Sequence, residues 1–319
     1  CFLIVAPLPR ARSLIGSRDM SAAPWEFWID RGGTFTDCLG QPPGGGPMRA
    51  VKVLSSDQAP LKGIRQILDL DPRDPIPPCD VRMGTTVATN ALLERRGAPT
   101  ALVVTAGFGD LLEIGDQTRP DLFALNIRKH ERLCTRTLEV NARLDATGAE
   151  LSRPTESMRH AGLAALRAEG ILSLAVLVIH STLNPALEQW ICAVARDMGF
   201  SHVTASHELY SGAGMLARGD TAATSAYLTP LLTDYLHTIA SSLPGSSLQL
   251  MASSGRLRRA TQLSGQEAVY SGPAGGVVAC AQLARTHRLT QVIGFDMGGT
   301  STDVYRYAGT LERRSEQLV

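Results

Sequence analysis

Paired cysteines are missing from this chain. Its six cysteines stand apart at positions 1, 38, 79, 134, 192 and 280, with no Cys-x-x-Cys pair and no histidine at ligand spacing. That argues against a disulfide framework or a zinc site and leaves reduced, buried thiols in a cytoplasmic protein as the expectation. An excess of one charge is missing too. The net charge of +1 gives no general pull toward nucleic acid or anionic lipid, so neither is expected as a partner. No apolar stretch is long enough to span a bilayer, so no membrane role is expected. What remains is an ordinary globular composition, 44% hydrophobic and 19% charged, over 319 residues. That length suits about two domains.

The chain opens on Cys1 and its first methionine is Met20. Residues 1–19 carry Arg10, Arg12 and Arg18 with no acid before Asp19. The pattern fits the tail of a targeting peptide and equally an upstream leader. Residues 1–24 are therefore expected to lie outside the fold, without order.

The strongest positive feature is an internal repeat. Asp30-Arg31-Gly32-Gly33-Thr34-Phe35-Thr36-Asp37 returns as Asp296-Met297-Gly298-Gly299-Thr300-Ser301-Thr302-Asp303, with six of eight positions the same. Each copy follows a short apolar run, Phe27–Ile29 and Val292–Phe295. Each reads as a buried strand ending in a carboxylate, a glycine turn, and a second strand opening on threonines. Paired glycines let backbone amides approach a bulky anion. Threonine hydroxyls add donors, and a strand-end aspartate suits a metal held through water. Two such turns point to a two-jawed phosphate clamp, where a single one reads as a plain hairpin.

Around the first copy, Thr34–Leu39 and Met48–Leu54 read as further strands across the Pro42–Gly46 turn. A helix is expected over 59–70. Val81 to Asn90 reads as strand and Gly-Thr-Thr turn, leading into a helix stopped by Gly97. Its amide-rich start suits an anion or carbonyl, or is simply capped by Thr85 or Thr86. Residues 107–121 form a long polar loop, and 138–144 a strand. Helix, strand, helix, strand over 155–168, 171–180, 184–198 and 203–205 imply a parallel sheet covered by helices. A long helix over 220–243 is expected to kink or split at Pro230. A strand over 248–252 and a glycine-rich helix start at 271–276 lead into the second copy. With so few residues after it, the second hairpin is expected to be the beginning of a lobe that the chain does not finish.

Taken together, these motifs resemble the hydantoinase A/5-oxoprolinase family. The resemblance rests on Ile29–Asp37, Met83–Glu94, Gly107–Ile114, Arg119–Phe123, Tyr227–Pro230, Ser271–Val277 and Gly294–Val304, and covers nearly all of residues 25–310. Arg31 and the Gly115–Pro120 stretch look more like the 5-oxoprolinase branch. Departures fall at His180–Pro185, Ser206–Gly219 and Leu250–Arg256, where the family pattern is looser. The resemblance implies an α/β fold, with a ribonuclease H-like lobe as in actin, heat-shock ATPases and sugar kinases and a second lobe only begun. It implies an N-terminal domain over 25–206 and a truncated hydantoinase A domain over 220–319.

By the same resemblance, ATP and Mg²⁺ are the expected cofactors. Gly32, Gly33, Thr34, Thr36, Gly298, Gly299, Thr300 and Ser301 would hold phosphate, and Asp30 and Asp296 would hold Mg²⁺ through water. Thr85, Thr86 and Asn90 are expected on the substrate or transferring-phosphoryl side. Arg119, with its planar fork, is expected to take a substrate carboxylate. The implied activity is ATP-dependent opening of a small lactam such as 5-oxo-L-proline. A separate hydrolytic region or subunit would complete it, in a homo-oligomer at full length. A hydantoin-type amidohydrolase subunit, a small-molecule kinase and a non-catalytic ATP-binding module are the competing readings.

Overall fold

In a computed structural model of the chain, residues 24–118, 123, 125–126, 131–155, 158–298 and 302–311 are described. The first part of the chain forms β1 (Trp25–Arg31), β2 (Phe35–Gln41), β3 (Arg49–Leu54), α1 (Ala59–Leu68), β4 (Cys79–Thr85) and α2 (Val87–Leu93). Then come β5 (Thr100–Thr105), α3 (Leu111–Ile114), β6 (Cys134–Val140), β7 (Arg143–Leu144) and β8 (Glu150–Ser152). A wide helical turn over Met158–Leu163 runs into α4 (Ala164–Ala168), followed by β9 (Ser173–Leu177), α5 (Ala186–Asp197), β10 (His202–Ala205) and α6 (Ser206–Leu209). The last part holds α7 (Met215–Ser241), β11 (Ser247–Met251), β12 (Leu257–Arg259), α8 (Gly265–Ala268), α9 (Ser271–Thr286), β13 (Val292–Met297) and β14 (Thr302–Tyr307). The fold is α/β.

Two compact units are discontinuous in sequence. The first gathers residues up to Asn90, Leu232–Leu263 and Glu267 onward, and the second gathers Ala91–Leu231 with Ser264–Gln266.

In the first unit a six-stranded sheet runs in the order β12-β11-β4-β1-β2-β3. β1, β2 and β3 form an antiparallel meander, while β4 lies parallel to β1 and β11 parallel to β4. Alternation decides its inner face. Phe27, Ile29 and Cys38 are buried, and α1 lays Leu61, Ile64 and Ile67 on that side. The β13–β14 hairpin is a separate two-stranded sheet carried by α9. Helix and hairpin approach closely at Gly294, where any side chain would collide with Cys280 and Tyr305.

The second unit is built on a parallel sheet, β10-β9-β5-β6. Its central strands are apolar on both faces, as a sheet covered on both sides requires. Ala101, Val103, Leu174 and Val176 enter one cluster with Leu187, Ile191 and Phe200. Leu102, Val104, Ala175 and Leu177 enter another with Ala222, Ala223 and Ala226.

Three local expectations are corrected. The 107–121 loop contains the short helix α3. The helix expected from 155 opens as a wide turn and becomes α-helical only at Ala164. Most instructive is α7, which does not split but stays a single helix through Pro230. Proline has no amide proton for the carbonyl four residues back, that of Ala226. Ser173 Oγ donates to the Ala226 carbonyl instead, at 2.6 Å, and supplies the missing bond from β9. Five cysteines, at 38, 79, 134, 192 and 280, are free and buried. Among the described residues no helix is long and apolar enough to cross a membrane.

Candidate phosphate-binding site

Both hairpins of the repeat belong to the first unit, and they share one register. Asp30 stands opposite Asp37 across β1–β2, and Asp296 stands opposite Asp303 across β13–β14. Like charges placed directly across a ladder destabilise it, so two such pairs at matching positions mark a site rather than a packing solution. Protein surrounds Asp30 on most sides although solvent still reaches it. That crowding pushes its carboxyl above the ordinary range, and the charges of Asp296 and Asp37 push in the same direction. Lys52 opposes them, with Nζ 2.6 Å from the Asp37 carboxylate. Asp303 is raised as well, by burial first and then by Asp296.

The first turn is closed by its own backbone. Gly32 N–H donates to the Phe35 carbonyl at 3.1 Å, and a Cβ at Gly32 would lie 2.9 Å from that oxygen, so no side chain fits. Ser55 braces the turn from behind. Its amide donates to the Thr34 carbonyl at 2.9 Å, and its hydroxyl donates to the Gly32 carbonyl at 2.7 Å and pairs with Thr36 Oγ1 at 2.9 Å. Thr36 is therefore buried and engaged, while Gly33 and Thr34 are exposed at the tip. Arg31 is held away from the tip. Its Nη2 lies 3.0 Å from Asp57 Oδ1, Nε reaches the Ser56 carbonyl, and the guanidinium sits 5.0 Å over the Tyr235 ring.

Strand β4 brings the Gly-Thr-Thr stretch alongside. Gly84 pairs with Asp30 and Thr85 with Arg31. Strand continues to Thr85 and helix starts at Val87, so the expected turn is a single residue, Thr86. Thr86 donates its amide and its hydroxyl to the Arg31 carbonyl, at 3.1 and 3.2 Å. Asn90 Nδ2 lies 3.4 Å from Thr86 Oγ1, one helical turn along. Thr85 is buried; its hydroxyl accepts from Val87 N–H and its carbonyl accepts from Ser271 Oγ at 2.6 Å. The glycine-rich start of α9 is thereby tied to the same corner. Asp30, Gly32, Thr85, Thr86 and Asn90 thus come together in one place.

On the second copy, Gly298 is exposed at the end of β13. Gly299, Thr300, Ser301 and Arg119 lie outside the described residues. Ser55, Asp57, Lys52 and Tyr235 were missed by sequence reasoning. Lys52 had a detectable signal, since it faces Asp37 once the β2–β3 register is set. Ser55, Asp57 and Tyr235 had none.

A family model for the hydantoinase/oxoprolinase N-terminal region matches residues 26–199, and one for hydantoinase/oxoprolinase matches 218–319. The chain is 41% identical to 5-oxoprolinase 1 of Arabidopsis thaliana over 92% of its length, and 39% identical to 5-oxoprolinase of Saccharomyces cerevisiae over 91%. It spans 26% of each of those relatives, about a quarter of their length. Among solved structures, the ATP-dependent caprolactamase of Pseudomonas jessenii matches with a TM-score of 0.72 and 28% identity, covering 88% of this chain and 43% of that one. A nucleotide-free acetone carboxylase matches in fold, with a TM-score of 0.78 at 20% identity over 91% of this chain and 45% of the other. The chain belongs to the hydantoinase/oxoprolinase family.

Proposed function

We propose that this chain is the ATP-handling part of an ATP-dependent cyclic amide hydrolase, of 5-oxoprolinase type. The observation that carries the reading is the pair of hairpins in matched register, with the first-strand Asp296 close enough for its charge to act on Asp30. The sheet order β3-β2-β1-β4-β11 supports reading the first unit as a ribonuclease H-like lobe. The names of the relatives support the choice of a lactam over a sugar.

The residues present fit a magnesium nucleotide. Asp30 is a crowded carboxylate whose neighbours are also acidic, so a cation relieves it. Among the described residues no three acidic, histidine or cysteine side chains cluster closely enough for a protein-only cage. Two carboxylates, water and phosphate oxygens are the usual set for Mg²⁺. Gly32, Gly33 and Thr34 would present the first turn to phosphate, with Ser55 and Thr36 fixing it from behind. Gly298, Gly299, Thr300 and Ser301 would do the same on the second copy. Bound ATP would supply a phosphoryl group to the lactam carbonyl oxygen, with ADP leaving, which would make the carbonyl carbon open to attack by water. Thr85, Thr86 and Asn90 would orient that oxygen, and Arg119 would take the substrate carboxylate. Positioning and charge, rather than a covalent enzyme intermediate, carry such a transfer. A hydrolytic region or subunit would complete the ring opening.

Calorimetry with MgATP on this chain, followed by phosphate release in the full-length protein with 5-oxo-L-proline, hydantoin or glycerol, tests the proposal. MgATP binding and stimulation by 5-oxo-L-proline are expected. Stimulation by glycerol alone would move the assignment to a kinase.

A further inference from the structure

The second unit holds a charged cluster that the phosphate clamp does not use. Glu188, on the first turn of α5, is fully buried. Its carboxylate accepts from Val178 N–H at 3.0 Å, Ser206 Oγ at 2.7 Å, His207 N–H at 3.1 Å and His207 Nδ1. Four donors saturate it. Arg218, in the first turns of α7, is 1% exposed. Its Nη1 donates to Ser181 Oγ and its Nη2 to the Val178 carbonyl at 3.0 Å, both neutral, and its Nε has no partner among the described residues.

Charge accounting makes the cluster incomplete. A guanidinium keeps its proton, and buried charges are paired in stable folds. Glu188 already takes His207 into an ion pair, which pushes the histidine up and holds the glutamate below its ordinary value against the cost of its burial. With that pair formed, one positive charge at Arg218 is left over in the interior. Burial pushes the Arg218 guanidinium below its ordinary value, and the charge of Glu188 pushes it back, but among the described residues no hydrogen bond or ion pair joins the two. Around His207 the further charged neighbour is the exposed Glu208 of α6.

The location is independent of that accounting. β5 and β9 are neighbours in the parallel sheet, yet β5 leads on to β6 at one side and β9 leads on to β10 at the other. The carboxyl ends of such a pair form the switch point where open α/β sheets bind ligands. Arg218 bonds to Val178, one residue past the end of β9, and Ile179 N–H reaches Thr105 Oγ1 at the end of β5 at 3.1 Å. The unpaired guanidinium thus stands at the position where the topology places a ligand.

We propose that Arg218, with His207 beside it, forms a binding site for a small carboxylate at the β5–β9 switch point of the second unit. Arg218 Nε would donate to the carboxylate. His207, its Nδ1 committed to Glu188, would offer Nε2–H when protonated. Carboxylate binding is then coupled to proton uptake at one imidazole. Affinity falls as pH rises through the His207 titration point, by at most about tenfold per pH unit, and levels off where Arg218 alone holds the carboxylate. The site goes beyond the phosphate clamp and does not rest on it.

The test is a titration of the histidine-labelled protein by nuclear magnetic resonance, with acetate or 5-oxo-L-proline against sodium chloride at matched ionic strength. The expected result is a saturable upward shift of the His207 titration point with at least one carboxylate and none with chloride. Response to both assigns a general carboxylate site, and response to 5-oxo-L-proline alone assigns a lactam-acid site. Arg218→Lys should weaken the effect about tenfold and Arg218→Met should abolish it, since a point charge does not replace the planar fork. If Arg218→Met does not fold, His207→Gln decides: binding should persist and lose its pH dependence. No response to either carboxylate, or a response unchanged in Arg218→Lys, overturns the proposal. MgATP calorimetry reports the phosphate clamp separately, so the failure of one reading leaves the other standing.

Discussion

At the ends of two strands far apart in sequence, Asp296 lies close enough to Asp30 in the first unit for its charge to add to burial in raising the cost of ionising Asp30. The folded value of Asp30 is raised, so the folded state holds that proton more tightly than the unfolded chain does. Its contribution to stability is therefore present below the ordinary aspartate value and is lost as pH rises through the folded value. At neutral pH the ionised carboxylate opposes folding, and a bound cation removes the opposition. Asp30→Asn is expected to raise the unfolding temperature at neutral pH, with the gain vanishing toward about pH 4. The same change should weaken MgATP binding by about ten- to a hundredfold, the scale of a lost charge-assisted contact. Thermal unfolding across pH and calorimetry read the two effects. A variant less stable at neutral pH and unaltered in nucleotide binding would remove Asp30 from the site.

Thr86 is the hinge between strand β4 and helix α2, and it makes two bonds to the Arg31 carbonyl. Thr86→Val keeps the shape and the amide bond but loses the hydroxyl. The expected cost is about 1 kcal/mol of stability. Phosphate release by the full-length enzyme should fall further than this cost explains, because Asn90 loses its partner as well. Thr86→Ser should restore both. Comparing denaturant midpoints with steady-state rates separates the structural share from the functional one.

The repeat, its paired strands and the strand-to-helix passage around Thr85 and Thr86 were legible in the residues because each is local, set by glycine, threonine and apolar spacing over a few positions. The surroundings of Arg31 were not. Asp57 lies across the sheet from it and Tyr235 comes from a helix far along the chain, so only the folded topology brings them to one side chain. Ser55 is hidden for the same reason, since its role depends on the β2–β3 register. At Pro230 the sequence pointed to a kink or a split, and the fold does not make the split. The local rule was sound, and a hydroxyl from a distant strand satisfied it.

The two hairpins share a pattern but not an environment. Phe27, Ile29 and Cys38 are buried under α1, whereas the matching Ile293, Phe295 and Val304 are 75, 62 and 64% exposed. The matched substitutions Ile29→Ser and Phe295→Ser should therefore differ sharply in this chain. The first is expected to cost about 2–5 kcal/mol, as a buried large-to-small change that also buries a hydroxyl. The second should stay within about 0.5 kcal/mol and reduce binding of an apolar fluorescent dye. Denaturant unfolding and dye titration on the pair check this. Equal costs would mean that the second hairpin's open face is covered in solution.

Ser173 and Pro230 form a compensating pair that a double-mutant cycle can isolate. Proline leaves the Ala226 carbonyl without its helical donor, and the Ser173 hydroxyl fills the place from β9 inside an apolar layer. Ser173→Ala removes that donor and leaves a buried carbonyl unsatisfied, at an expected cost of about 1–3 kcal/mol. Pro230→Ala alone gives the carbonyl a second donor and relieves the ring's crowding of the preceding turn, so its effect should be small. In the double variant the alanine amide takes over the bond. Most of the Ser173→Ala cost should then disappear, leaving a coupling of about 1 kcal/mol or more, above the error of additivity. Additive costs would show that the hydroxyl does not stand in for the missing amide, and the continuity of α7 through Pro230 would need another cause.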